Sequence, residues 1–343
     1  MQKKKILFIC GSLNQTSMMH NISHFMDNYD CYFTPYYYDG IIYQASKTGF
    51  LDFSILGGTF RSNTEKYFRE YNLKMDYRGL SNDYCLVYTC ADLLVPHNIR
   101  NKKVILVQEG MTDPETIMYY LVKYFGFSRW LASTSTMGMS NQYNLFCVAS
   151  EGYKDLFVRK GAKREKIVVT GIPNFDNLKQ FLNNDFPYKN HVIVATSDAR
   201  ETFKIDNRKK FIKECVKIAN GRLLIFKIHP NEKFDRAIRE VNKYAPGALT
   251  FTEGNINHMI ANCDVLITKY SSVAYVGMEF GKEVHSYFKE EDLKRLMPIQ
   301  NNATSAERIA RIGIHLLESP NASLEKIHEV FDLTAIGGFK INS

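Results

Sequence analysis

Short apolar runs alternate with amphipathic stretches along the whole chain. The runs at 5–10, 32–36, 52–56, 84–88, 104–107 and 144–149 read as strands in the first half. Those at 166–170, 191–195, 222–228, 249–252, 265–268 and 284–287 read as strands in the second. Helical periodicity fills the intervals, as at 59–71, 115–124, 151–159, 208–219 and 305–318. Strands separated by helices build parallel sheets, so the pattern predicts an α/β protein. The segment GIPNFDNLKQFLNNDFPYKN, 171–190, breaks the rhythm with Gly, Pro and Asn. It predicts two doubly wound, Rossmann-like domains, 1–170 and 191–343, facing across a cleft and joined by that linker. That fold also leads one to expect the last helix to cross back to the first domain.

Composition narrows the class. The chain has 343 residues, 45% hydrophobic and 23% charged, which fits a globular protein of two domains. No run of about 18 uncharged apolar residues is present to span a membrane. The opening MQKKKILFICGS runs into a glycine turn without a cleavage site and reads as the first strand. Seven cysteines, odd in number and mostly in apolar runs, read as reduced thiols of a cytoplasmic protein. The histidines suggest no metal cluster, so neither a protein-bound metal nor a cofactor is expected. The net charge of +8 calls for an anionic partner, yet no clustered motif points to nucleic acid. Nucleotide diphosphates, a peripheral contact at the inner face of a membrane and a plain solvated surface stay open.

The chemistry candidates lie where strands end, because ligands of open α/β sheets bind outside the carboxyl ends of the strands. VQEGMTDP follows the run KKVILV and places Gln108, Glu109 and Gly110 there. Glu109 is either a reactive carboxylate or a cap of the helix over 115–124. CGSLNQTSMMHN offers Gly11, Ser12, Asn14, Gln15 and Thr16, as an anion- or hydroxyl-binding turn or as a plain helix start capped by Asn14 or Thr16. KIHPNEK brings His229 and Pro230 to a strand end, with Pro230 suited to open a helix. Lys269, Ser271 and Ser272 precede a helix that stops at Gly281, a phosphate site or simple serine capping. Thr196 and Arg200 close the set, the arginine as a bidentate diphosphate ligand or a surface charge.

CVASEGYKDLFVRKGAKREKIVVTGIPNFD, KIHP and CDVLITKYSSVAYVGMEFGK resemble, in that order, the carboxyl half of GT-B transferases. The resemblance is strongest to the CDP-glycerol glycerophosphotransferase group and is close over 145–285, while the first 100 residues match only in plan. Gln108-Glu109-Gly110, His229-Pro230 and Ser271-Ser272 are also similar to the acidic-Gly, His-Pro and Ser-Ser motifs of bacterial sialyltransferases and capsule Kdo transferases. That resemblance implies a metal-independent, inverting transferase. Its donor would be a CMP-, CDP- or UDP-linked sugar or polyol, and its acceptor a hydroxyl of a cell-surface glycan or glycolipid. Glu109 would be the base, and His229, Ser271 and Ser272 would hold the nucleotide phosphates. Gln108 stands where many relatives carry a second acid. Two competing readings are a UDP-N-acetylglucosamine 2-epimerase and an inert nucleotide-sugar binding protein. Against the epimerase, Tyr275 and Val276 occupy the region of its acidic pair.

Overall fold

A computed structural model describes residues 3–49, 54–198, 200, 206–319 and 323–334. The chain forms two units, Met1–Asn177 with Pro298–Ser343, and Leu178–Met297. In the first unit the strands are β1 (Lys5–Cys10), β2 (Asp30–Pro35), β3 (Leu86–Thr89), β4 (Lys103–Val107), β5 (Leu145–Val148) and β6 (Ile167–Val169). They form one parallel sheet in the order β2-β1-β3-β4-β5-β6. In the second unit β7 (His191–Ala195), β8 (Leu224–Lys227), β9 (Leu249–Phe251), β10 (Cys263–Ile267) and β11 (Glu283–His285) form another, ordered β11-β10-β7-β8-β9. This sheet is also parallel throughout. Strand order reverses between β1 and β3 in the first sheet and between β7 and β10 in the second. These are the switch points where such sheets open a crevice.

The apolar runs are continuous because helices cover both faces of each sheet. In β1 every residue after Lys5 is buried. Phe8 pairs in register with Phe33 of β2 and Tyr88 of β3, and its ring stacks on theirs at 5.1 and 4.9 Å. The helix Ser305–Glu318 lies so close to β3 that a Cβ on Gly313 would sit 1.9 Å from the Tyr88 hydroxyl. That helix belongs to the first unit, as does the helix Leu324–Phe331.

Several expectations are revised. The run at 52–56 is no strand where it is described: Ser54–Leu56 form a bend and a turn, while 52 and 53 lie outside the described residues. The segment 171–190 does not act as one linker. Gly171 adopts a left-handed φ of +72° and packs beneath Ser305 and Asn301. Asp176 accepts the Ser305 N–H at 2.8 Å. Residues through Asn177 are thereby tied into the first unit, and those from Leu178 join the second. The second unit likewise stops at Met297 rather than running to 343.

Candidate active site

Glu109 stands two residues beyond β4, and the residue before it fixes the backbone there. Gln108 is fully buried. Its N–H donates to the Cys147 carbonyl at 3.0 Å, its Oε1 accepts the Ala149 N–H at 2.9 Å, and its Nε2 donates to the Gly110 carbonyl at 2.8 Å. Both ends of the amide are spent on backbone. Gln108 and Gly110 thus anchor the end of β4 to that of β5.

The helix Leu13–Ser23, which follows β1, reaches the Glu109 carboxylate. Ser12 donates its hydroxyl to Oε1 at 2.7 Å, and Gln15 donates Nε2 to Oε2 at 2.6 Å. Ser12 is also the N-cap, accepting the Gln15 N–H at 3.2 Å, where Asn14 or Thr16 was expected. Asn14 is exposed and stays apart, while Thr16 is buried and donates to the Ser12 carbonyl at 2.8 Å. Gly11 makes room for this arrangement, since a Cβ there would meet Gln15 Oε1 at 2.2 Å. The helix Ile117–Phe125 has Thr116 at its N-cap. Glu109 therefore does not cap the helix that follows it. Burial raises its pKa above the ordinary carboxyl value, against the opposing hydrogen bonds from Gln15 and Ser12.

The expectation about histidines overlooked His20 and His24, which stand four apart, a spacing that metal ligands use. Their rings lie 4.4 Å apart, and His20 Nδ1 is 3.1 Å from the Tyr67 hydroxyl. Among the described residues no group of three or more His, Cys, Asp or Glu could hold a metal ion.

In the second unit, Thr196 and His229 follow β7 and β8. The His229 N–H donates to Thr196 Oγ1 at 2.9 Å, and Thr196 bonds to Glu232. Pro230 is exposed and sits in a turn closed by the Glu232 N–H on the His229 carbonyl at 2.9 Å. The next helix starts only at Phe234, so Pro230 opens no helix. His229 Nδ1 accepts the Asn231 N–H at 3.2 Å, so the neutral ring carries its proton on Nε2 as a donor.

Ser271 and Ser272 lie beyond β10, before the short helix Val273–Glu279, and both are partly exposed. Ser272 occupies the N-cap without a side-chain capping bond. Gly277 lets this helix settle on the sheet, because a Cβ there would meet Leu266 at 2.7 Å and Val284 at 2.9 Å. Gly281, with φ at +65°, follows its end.

The cations expected to hold phosphate are engaged by acids. The Arg200 guanidinium grips Glu240 with two bonds, of 2.7 and 2.8 Å. The Lys269 amine pairs with Asp206 and lies 4.6 Å from the Phe211 ring centroid. Sequence reasoning missed Glu232, Arg208 and Asp206. Glu232 is buried and pairs with Arg208, which in turn lies 3.7 Å from Asp206. The acid of HPNE was a readable signal for Glu232; no local pattern pointed to Arg208, over 20 residues upstream.

A family model described as "CDP-Glycerol:Poly(glycerophosphate) glycerophosphotransferase" matches residues 92–290, more than half of the chain. No curated protein sequence matches significantly. Among solved structures, a proposed UDP-N-acetylglucosamine 2-epimerase of Listeria monocytogenes shares 14% identity and a TM-score of 0.55. That match covers 96% of this chain and 91% of the other. The S. aureus MnaA–UDP complex shares 14% identity over 95% and 91% of the two chains, at a TM-score of 0.53. These two likenesses speak for the fold alone, the GT-B class.

Proposed function

The chain belongs to the CDP-glycerol:poly(glycerophosphate) glycerophosphotransferase family, and from that premise we propose that it transfers glycerol phosphate from a CDP-linked donor to a polymer hydroxyl. The acceptor oxygen attacks the phosphorus that bears the glycerol. The bond from that phosphorus to the bridging oxygen breaks, and CMP departs with the electron pair. Glu109 takes the acceptor proton. His229, through Nε2–H, and the hydroxyls of Ser271 and Ser272 hold the donor phosphates and the charge that develops on CMP. No protein-bound metal enters this scheme.

The carrying observation is the pair of bonds from Ser12 and Gln15 to Glu109. They aim a carboxylate whose pKa burial has raised, and a base works best when its pKa approaches the working pH. The test is CMP release from CDP-glycerol in the presence of an acceptor primer. Glu109→Gln keeps shape and polarity but removes the proton acceptor, so turnover falls by about two orders of magnitude or more. Near-normal turnover in this variant sinks the assignment. Chelation by EDTA leaves the wild-type rate unchanged; a loss restored by magnesium would require a metal on the donor diphosphate.

A further inference from the structure

We propose that Lys47, Arg61 and Arg78 form a subsite of the first unit that grips a phosphodiester of the acceptor chain, upstream of the hydroxyl that reacts. All three precede residue 92, where the family match begins, so that match assigns them nothing. The inference rests on the transferase reading for the nature of the acceptor.

The three cations gather on tyrosine rings. The Lys47 amine lies 4.5 Å from the centroid of the Tyr43 ring, one turn earlier on the helix Gly40–Lys47, and the Arg78 guanidinium lies 4.0 Å from the same centroid. Arg61 lies 4.7 Å from the ring centroid of Tyr77, the residue before Arg78. The hydrogen bond from Lys47, with the charges of Lys47 and Arg78, draws the Tyr43 phenol below its ordinary pKa of 10 against desolvation. Two carboxylates answer these three charges. Asp39 bonds Arg78 at 2.8 Å, and Glu65 bonds Arg61 at 2.8 Å. Asp39 also accepts the His97 N–H at 2.6 Å, so both its oxygens are engaged. Arg78 Nε is buried without a hydrogen-bond partner among the described residues.

The backbone singles out the same arginine. Arg78 has a left-handed φ of +62°, a conformation that glycine adopts more readily. Its N–H donates to Thr34 Oγ1 at 2.9 Å, and its carbonyl accepts from Asn98 Nδ2 at 2.9 Å. Strain held in place by its surroundings in this way clusters at ligand sites.

The place in the sheet selects the ligand. β1 and β2 run parallel with Cys10 opposite Pro35, so the chain after Pro35 leaves the sheet at the end where Ser12 meets Glu109. Thr64 donates to the Gly11 carbonyl at 2.9 Å, and Arg61 stands about one turn earlier on that helix. In the order β2-β1-β3-β4, three strand spacings separate the end of β2 from that of β4, about 14 Å. An acceptor whose terminal hydroxyl meets Glu109 therefore brings to these cations a phosphodiester farther back than the one beside its reacting glycerol. Arginine forks and a lysine amine are the side chains that recognise phosphate.

The test compares CMP release with two primers, one bearing a single phosphodiester and one a longer oligomer of the same glycerol phosphate repeat. The wild type should show a KM several-fold lower for the oligomer. Arg78→Gly suits the left-handed backbone and should fold. It should raise the oligomer KM about tenfold or more, as expected for losing a hydrogen bond to a charged group. Its kcat and its KM for the short primer should stay near the wild-type values. Lys47→Gln, at an exposed position, should move the oligomer KM in the same direction. Equal KM for the two primers in the wild type overturns the subsite, and so does an unchanged oligomer KM in folded Arg78→Gly. Calorimetry of the oligomer without donor keeps the two readings apart. Binding that Arg78→Gly weakens, in a wild type that shows no turnover, would overturn the transferase reading and leave the subsite standing. Absence of both binding and turnover overturns both. Inorganic phosphate that displaces the oligomer at equal concentration would assign the cations to the free ion and overturn the acceptor subsite.

Discussion

The ionisation of Glu109 is set by two opposed effects, burial and the hydrogen bonds from Gln15 and Ser12. A base must be deprotonated, so kcat/KM should fall as pH drops through a value above the ordinary carboxyl range. Gln15→Leu removes one stabilising bond to the charged form and should move that acid limb to higher pH. The plateau rate above it should survive. Gly11→Ala should shift the limb the same way by a different route, since its methyl displaces Gln15 Oε1. A pH profile that moves in neither variant would detach these residues from the base. Glu109 itself was legible because KVILV visibly ends before it. Ser12 and Gln15 were legible only as neighbours of a turn. That they meet Glu109 depends on β3 lying between β1 and β4, and nothing in a strand's own composition states its place in a sheet.

Runs of unbroken apolar residues, such as KILFIC and HVIVA, announced buried strands correctly, because parallel strands covered on both faces leave no room for alternation. The run at 52–56 misled because a short apolar cluster in a loop has the same composition as a short strand. The closing helices show what composition hides. Gly313 reads as a weak point in the helix Ser305–Glu318, yet its bare Cα lets that helix touch Tyr88 and Leu86. Gly313→Ala should therefore destabilise by about 1–3 kcal/mol through overpacking, although alanine is the better helix former. Farther along, Asp332 accepts from the buried Lys154 at 2.9 Å and lies 3.1 Å from His328 Nδ1. Burial works against ionisation of Asp332, but its bonds to His328, Thr334 and Lys154 hold its pKa well below the ordinary value of 3.8. The bond to Asp332 raises His328 above its usual 6.5 despite burial. Asp332 thus stabilises above pH 3.8, and its contribution is lost as pH falls through the depressed value. The His328 contribution is full below 6.5 and is lost as pH rises through the raised value. The tie is strongest between those limits. His328→Gln should flatten the loss of melting temperature on the alkaline side. Asp332→Asn should cost about 3–5 kcal/mol by leaving the buried Lys154 charge with the Glu151 carboxylate, 4.0 Å away, as its remaining ion-pair partner among the described residues.

The chain leaves one unit at Asn177, builds the other, and returns at Pro298. This excursion was hard to read because the returning residues carry the same helical periodicity whichever sheet they cover. The proposed chemistry divides along the same lines, with Glu109 in one unit and His229, Ser271 and Ser272 in the other. Variants in the two units should then fail in different ways. Replacing both hydroxyls, Ser271→Ala with Ser272→Ala, removes donors to phosphate and should weaken CMP and CDP-glycerol by about tenfold or more, since hydrogen bonds to charged groups contribute about 1.5–3 kcal/mol each. Glu109→Gln should leave the CMP dissociation constant near that of the wild type while turnover collapses. Calorimetry with CMP and single-turnover rates, measured on the same preparations, separate the two effects. If Glu109→Gln weakened CMP as much as the serine pair does, the carboxylate would be supporting the nucleotide rather than taking the acceptor proton. If the serine variant bound CMP normally but turned over slowly, the hydroxyls would be acting on the transition state alone, and the phosphate grip would have to come from His229 and the backbone after β10.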